Sequence, residues 1–385
     1  MQLRANWNYP TSIRFGAGRI SELPDAVRAA GMRTPLLVTD PRLAAMPMIA
    51  DARASLDAAG IPCAVFSDIR PNPVATNVEA GLKTLRSGGH DGVIAFGGGS
   101  ALDVGKLVAF MAGQSRPIWD FEDVGDWWKR ADPAGILPVV AVPTTAGTGS
   151  EVGRAGVVTD EATRVKKVIF HPRMMPRISI LDPELTVGMP PAVTAGTGMD
   201  AFAHGLEAYC GAAYHPLADG ISLEAIRLVK ENLPRAVREG HDLEARGHMM
   251  AAAAMGATAF QKALGAVHAL SHPLGALHDT HHGMTNAVLM PYVLAFNRPA
   301  IEAKIERLAA YLGLAPSFPA FLDFVLRLRR DIGVPHTLRE FGLDGSTFDL
   351  MARMAPQDPT AAGNPVPLDE AAARRLYESA FEGRV

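Results

Sequence analysis

The first half of the chain alternates between two rhythms of apolar residues. Short β-rich runs, PLLVTD (35–40), CAVFSDI (63–69), DGVIAFGGG (91–99), LPVVAVPTT (137–145), AGVVTD (155–160) and RISILDP (177–183), are separated by stretches with apolar residues at helical spacing. Two of those stretches, RLAAMPMIADARASLDAAG (42–60) and ATNVEAGLKTLRSGG (75–89), stop at glycine, as helices commonly do. The alternation predicts an α/β fold class with a largely parallel sheet. Beyond about Leu185 the strand rhythm nearly disappears, and the pattern predicts helices over 193–212, 217–239, 242–264, 284–296, 299–312 and 318–331. The paired prolines of TVGMPPAV (186–193) break any continuing element, so the expected division is an α/β domain over 1–187 and an all-helical domain over 188–385.

Composition narrows the function classes. A length of 385 residues favours two or three domains, two being the simplest division, and 48% hydrophobic with 20% charged residues fits a globular protein with a large core. Net charge is −3 and no Lys/Arg run is long enough to follow a phosphate backbone, so nucleic acid and anionic membranes are not expected partners. A small-molecule ligand is expected instead. Cys63 and Cys210 are not in a CxxC pair and read as buried, reduced thiols. The stretch MQLRANWNYPTSIRFGAG lacks the apolar core of a signal peptide, and no apolar window reaches the ~18 residues of a membrane span. Together these features predict a cytoplasmic protein.

Two glycine-rich turns carry candidate chemistry. GVIAF runs straight into GGGSALDVGK (97–106), placing three glycines where a strand hands over to a helix. Glycine lets backbone approach closely, and the unsatisfied N–H groups and dipole of the helix start favour phosphate oxygens. The spacing is not GxGxxG, so the ordinary Rossmann fingerprint is absent. A second turn, PTTAGTGSE (143–151), follows LPVVAV and offers the hydroxyls of Thr144, Thr145, Thr148 and Ser150. Asp40, at the end of the first run, suits ribose hydroxyls and repels a 2′-phosphate, which predicts NAD(H) over NADP(H).

Histidines and carboxylates suggest a metal. In GMDAFAHGLEAYC (198–210), Asp200 and His204 are four apart, which puts both on one helical face. HALSHPLGALHDTHHGMTN (268–286) contains five of the twelve histidines, the donor type that a nitrogen- and oxygen-liganded divalent ion needs. On one straight helix His268 and His282 would be roughly 21 Å apart. Pro273, Gly275 and Gly283 offer places to end one helix and begin another. Adjacent His281 and His282 point differently, so one of them is expected to ligate; spacing does not say which.

These residues resemble the iron-containing, or type III, alcohol dehydrogenases. The resemblance spans nearly the whole chain, through PLLVTD, PNP (71–73), GGGSALDVGK, PTTAGTGSE, LDPEL, GMDAFAHGLEAY, HALSHPLG and HHGMTNAVLMP. It implies an N-terminal dinucleotide-binding domain, an all-helical metal-binding domain and an active site in the cleft between them. It makes Asp200, His204, His268 and His282 the metal ligands and puts His272 on the nicotinamide and substrate side. It assigns Gly97, Gly98, Gly99, Ser100 and Asp103 to the pyrophosphate turn and Asp40 to the adenosine ribose. Asn72, Thr144, Thr145, Gly147, Ser150 and Lys166 match further cofactor contacts, and His281 remains structural.

The implied reaction is reversible hydride transfer between NAD(H) and a small primary alcohol/aldehyde pair, with Fe(II) as Lewis acid and Zn as the alternative metal. Proton transfer is open to His272, the ribose hydroxyls or water. Lys262 and His278 depart from the familiar pattern and, with FQK-LG, look more like the branch that includes 4-hydroxybutyrate dehydrogenases. A terminal carboxylate would suit Lys262 and His278, so an ω-hydroxy acid is the alternative substrate. A dehydroquinate-synthase-like lyase is the remote alternative, disfavoured because the helical motifs lack its Lys/Arg grip. A homodimer or larger homo-oligomer is the expected assembly.

Overall fold

The computed structural model describes residues 10–163 and 165–385; the first half of the stretch searched above for an export signal, residues 1–9, lies outside the described residues. The described residues form two compact units, 10–188 and 189–385.

In the first unit the strands are β1 (Ser12–Phe15), β2 (Leu36–Val38), β3 (Ala64–Phe66), β4 (Val93–Gly97), β5 (Val139–Pro143), β6 (Ala155–Asp160), β7 (Val165–Phe170) and β8 (Ile178–Leu181). Its helices are α1 (Leu23–Ala29), α2 (Pro41–Ala44), α3 (Pro47–Ala58), α4 (Ala75–Ser87) and α5 (Gly99–Met111). Six strands pair in the order β1-β8-β5-β4-β2-β3, parallel throughout. Central strands β4 and β5 are buried at every position, which explains their unbroken apolar runs.

Alternate strand residues feed two cores. Leu36, Val38, Val93, Ala95, Val139 and Ala141 pack with residues of α4 and α5. Leu37, Ile94, Phe96, Val140 and Val142 pack on the opposite face with residues of α1 and α3. After β2 the chain adds β3 on one side, then crosses to place β4 on the other side of β2. The reversal opens a crevice beyond the carboxyl ends of β2 and β4, where doubly wound sheets bind ligands.

One strand expectation is corrected. AGVVTD does not join the parallel sheet; it is β6, which pairs antiparallel with β7 in a separate two-stranded ribbon. Its burial alternates, as a half-exposed ribbon requires, whereas the inner sheet strands β2, β4, β5 and β8 are buried on both faces. The edge strand β1 and the charged β7 carry too little apolar signal to be recognised from sequence.

The second unit is built from α6 (Pro191–Cys210), α7 (Pro216–Arg238), α8 (Leu243–Ala259), α9 (Ala266–His278), α10 (His282–Tyr311), α11 (Phe318–Asp331), α12 (Phe348–Met354) and α13 (Glu370–Glu382). Nearly all of α6 from Thr194 onward is buried, as expected of a helix apolar all round, and α7, α8 and α10 pack against it. Glycine permits the close approach: a Cβ on Gly256 of α8 would lie 3.0 Å from the Ala201 carbonyl oxygen.

The expected helices 284–296 and 299–312 are one helix, α10, which continues through Pro291 and Pro299. Each proline forfeits a backbone bond: before Pro291 the fully buried Ala287 to Met290 hold the helix through the break, whereas Arg298, Pro299 and Ala300 are exposed, so water can satisfy the carbonyl freed there. Similarly, α9 runs through Pro273 to His278. The reversal between His268 and His282 comes instead at Asp279, whose φ of 51° is the positive-φ exception among the described non-glycine residues. The expected helix 242–264 stops at Ala259.

Candidate cofactor and metal sites

Gly97 ends β4 with φ at 149°, Gly98 is the N-cap of α5, and Gly99 begins the helix with no side-chain cap from the N-cap position. The second turn lies against the first: Thr144 N donates to Gly97 O at 3.0 Å. A Cβ on Gly99 would stand 2.6 Å from Thr148 Oγ1, which forces a shift, and one on Gly98 3.3 Å from Thr145 Cγ2, a tight fit, so the two turns pack closely at these glycines. Asp40 follows β2 across the crevice. Its Oδ1 accepts from Arg42 N (2.9 Å) and Leu43 N (3.0 Å), capping α2, and Oδ2 lies 3.8 Å from where a Cβ on Gly97 would stand.

Other residues assigned to the cofactor fall into two groups. Lys166 Nζ donates to Asn72 Oδ1 at 2.8 Å, and Ser100 Oγ donates to the Pro71 carbonyl, so PNP, the hairpin and the start of α5 meet at one place. Asp103 and Ser150 are committed to each other: Ser150 Oγ donates to Asp103 Oδ1 at 2.5 Å, and Val157 N donates to Oδ2 at 3.1 Å. Lys106, 3.4 Å from Asp103 Oδ1, completes this buried brace, and burial lowers its pKa. Neighbouring Glu151 is pushed up to about 7 by burial. Thr144 and Gly147 are buried in the second turn.

In the helical unit, Asp200 and His204 from α6 meet His268 from α9, with donor atoms all within 4.8 Å of one another. Asp200 Oδ1 is 3.7 Å from His204 Nε2, 3.8 Å from His268 Nε2 and 3.6 Å from His282 Nε2. Ligands about 2.1 Å from a shared ion in tetrahedral array stand about 3.4 Å apart, so the spacing fits. His204 and His268 stack at 4.9 Å between ring centroids, and His282 lies 5.3 Å from His268. One carboxylate, three imidazoles and no thiolate suit Fe(II) or Zn. Asn286, one turn beyond His282, directs Nδ2 to Asp200 Oδ1 at 2.8 Å, while its buried Oδ1 has no hydrogen-bond partner.

Burial opposes a charged imidazole at His268, but Glu207, Asp200 and Asp358 outweigh it and hold its pKa above the ordinary value. His272 sits beside the cluster, stacked 5.4 Å from His282, and its Nδ1 is 2.7 Å from Asp358 Oδ2. Thr360 N and Oγ1 donate to the other oxygen of Asp358 at 2.9 and 2.6 Å. Burial would raise the Asp358 pKa, yet His272 and Thr360 lower it.

The remaining segment residues do other work. His281 is the N-cap of α10, accepting from Met284 N at 3.3 Å, and burial lowers its pKa. His278 Nε2 bonds Thr347 Oγ1 at 2.7 Å. Lys262 is not with the metal cluster: its fully buried side chain pairs with Asp219 at 2.5 Å and reaches Tyr209 O at 3.4 Å. Sequence reading missed Glu207, Asn286 and Asp358. Glu207 had one signal, a carboxylate within an otherwise apolar helix, since acids are rarely buried unpaired.

A phosphate-suited crevice in one unit and a carboxylate–imidazole cluster in the other are the parts that a metal-dependent, nucleotide-using enzyme needs. Residues 10–183 match the iron-containing alcohol dehydrogenase model, and residues 194–381 match the C-terminal model of the Fe-containing alcohol dehydrogenase family. The chain belongs to the iron-containing alcohol dehydrogenase family. It is 38% identical to 4-hydroxybutyrate dehydrogenase of Cupriavidus necator, over 97% of this chain and 99% of the relative. The crystal structure of a 1,3-propanediol oxidoreductase is 37% identical and superposes with a TM-score of 0.93, covering 98% of this chain and 100% of that one. Sulfoacetaldehyde reductase from Bifidobacterium kashiwanohense, solved with NAD+, is 31% identical with a TM-score of 0.88 over 98% and 99% of the chains. As a member of that family, the protein is an oxidoreductase of the alcohol dehydrogenase class, and its buried Asp200–His204–His268 cluster has the donors that a metal ion needs.

Proposed function

We propose that the chain interconverts a small primary alcohol and its aldehyde, with Asp200, His204, His268 and His282 holding Fe(II). The observation that carries the reading is Asp200 Oδ1 standing 3.6 to 3.8 Å from three imidazole Nε2 atoms. When bound, the metal supplies a Lewis acid for the substrate oxygen and the nicotinamide supplies the hydride acceptor or donor. The Gly97–Gly98–Gly99 turn and the start of α5 bind the pyrophosphate, Asp40 binds the adenosine ribose, and Thr144, Thr145 and Gly147 line the adjoining turn. Lys166 and Asn72, already paired, serve the nicotinamide ribose.

His272 is the proton carrier in this reading. The acceptor-only carboxylate of Asp358 takes the proton-bearing Nδ1 of His272, which leaves Nε2 with the lone pair that accepts a proton. Asp103 and Ser150 support the turns rather than contact the nucleotide, because their side chains bond each other.

The ω-hydroxy acid reading is supported by the similarity to 4-hydroxybutyrate dehydrogenase. Against it, Lys262 is neutralised by Asp219 and His278 is bonded to Thr347, so neither offers a ready grip for a carboxylate. We therefore favour an uncharged substrate. Two unpaired buried cysteines support a reducing, cytoplasmic setting. The exposed Ile13 and Phe15 on edge strand β1 support a homo-oligomer.

The test is a panel of 1,2-propanediol, simple alkanols and 4-hydroxybutyrate with NAD on Fe-loaded, Zn-loaded and metal-free protein. Turnover of the uncharged alcohols only on metal-loaded protein is expected. A strong preference for 4-hydroxybutyrate would transfer the assignment to the second reading, and full activity without metal would refute both.

A further inference from the structure

Helix α9 delivers His268, yet its own N-terminus has no local cap: the N-cap is Gly265, which has no side chain. Two distant side chains take its place. Asn364 Oδ1 accepts from Ala266 N at 3.0 Å, and Glu207 Oε1 accepts from Val267 N at 2.7 Å. A Cβ on Gly265 would stand 2.9 Å from the Asn364 oxygen and 3.1 Å from the Glu207 oxygen, so a larger residue there would have to displace both. The second oxygen of Glu207 lies 2.5 Å from His268 Nδ1. Glu207 itself is 7% exposed and lies three residues beyond His204 on α6.

We propose that Glu207 is a positioning residue for the metal site, fixing the start of α9 with one oxygen and the tautomer of His268 with the other. The proposal rests on His268 being a metal ligand. An ionised carboxylate only accepts hydrogen bonds, so His268 Nδ1 carries the proton and Nε2 keeps the lone pair. That lone pair belongs to the nitrogen 3.8 Å from Asp200 Oδ1. A carboxylate on the far nitrogen also strengthens the imidazole as a donor. A mere cap would need only the bond to Val267. The bond to His268 is what ties Glu207 to the metal.

Glu207→Gln separates the two roles. A glutamine has one oxygen for two donors, so either Val267 N or His268 Nδ1 loses its acceptor, and an amide facing Nδ1 favours the wrong tautomer. Asn364→Ala is the control, since it removes a cap from the same helix end without touching His268. Co(II) and Zn affinities of the full chain are measured by chelator competition, with the Co(II) visible spectrum, the melting temperature of the metal-free protein and NADH binding recorded in parallel. Glu207→Gln should weaken metal binding about 10- to 100-fold and alter the Co(II) spectrum, with NADH binding unchanged. Asn364→Ala should lower the melting temperature while leaving metal affinity within about 3-fold, short of the change that loss of an imidazole partner brings.

Unchanged affinity and spectrum in Glu207→Gln would overturn the proposal. So would an equal loss of affinity in Asn364→Ala at an equal loss of melting temperature, because Glu207 would then act as a cap alone. His268→Ala distinguishes the underlying assignment: if that variant keeps full metal content, the ligand reading fails along with this one.

Discussion

Gly283 and Gly196 meet backbone to backbone where α10 begins against α6. A Cβ on Gly283 would overlap the Gly196 carbonyl oxygen and stand 3.1 Å from Asp200 Cβ. The contact sets His282 beside Asp200. Gly283→Ala must therefore separate the helices, costing about 1–3 kcal/mol by overpacking. The expected result is a lower melting temperature together with substoichiometric metal, read by thermal denaturation and elemental analysis; normal metal content would show that the close approach is not what sets the site.

His282→Ala should remove metal and activity together while leaving NADH affinity unchanged, because the glycine turns lie in the other unit. Fluorescence titration with NADH and metal analysis check this. Weakened NADH binding at full metal content would contradict it.

Asp358→Asn and His272→Ala should both retain metal and lose turnover. The amide cannot act as an acceptor-only partner of His272 Nδ1, which stands 2.7 Å from Asp358, so the lone pair at Nε2 is no longer assured. A loss of about 10²- to 10⁴-fold in kcat is expected from removing proton transfer. Stoichiometric loss of metal in His272→Ala would mean that the ligand assignment is wrong by one helical turn.

Asp40→Asn keeps the cap on α2, because an asparagine oxygen still accepts from Arg42 N and Leu43 N, but removes the charge. The ratio of kcat/KM for NAD to that for NADP should fall with little change in melting temperature. Asp40→Ala should shift the same ratio and also destabilise, by about 1 kcal/mol for the lost cap. Unaltered cofactor preference in both would remove Asp40 from the ribose site.

Glu151 gives a pH dependence with a definite sign. Burial raises its carboxyl from the ordinary 4.5 to about 7 in the folded chain, so the neutral form is the one that folding favours. That contribution is full below the unfolded pKa and is lost as pH rises through about 7. Glu151→Gln should melt close to the parent at pH 5 and above it at pH 8, with the difference growing across that interval. A difference independent of pH would contradict the assignment.

The parallel sheet and the helical half were legible because periodicity reports burial. β4 and β5 are buried at every residue, and their sequences are unbroken apolar runs. The ribbon β6–β7 was misassigned because AGVVTD is apolar enough for a sheet strand, and its true pairing depends on β7, VKKVIF, whose charges hide it. The prolines suggest breaks in α9 and α10, but a buried helix tolerates a missing N–H at Pro273 and Pro291 when its neighbours hold it, and at exposed Pro299 water can take the freed carbonyl. At the site, the spacing of Asp200 and His204 was visible because it is local. Choosing between His281 and His282 needed the family resemblance, since the chain reversal at Asp279 carries no proline or glycine. Asp358 and Asn364 were invisible for a further reason: they act from a segment without periodicity, far along the chain from His272 and from the start of α9, their respective partners.

Asp200, His204 and Glu207 occupy positions i, i+4 and i+7 of a single buried helix. One extra residue between them would turn everything beyond it by about 100° around the helix axis. No side-chain replacement could restore that alignment. In this stretch of α6, diversification by substitution stays open, but diversification by insertion or deletion is closed: spacing is the inherited quantity, and the flanking loops are where length can vary.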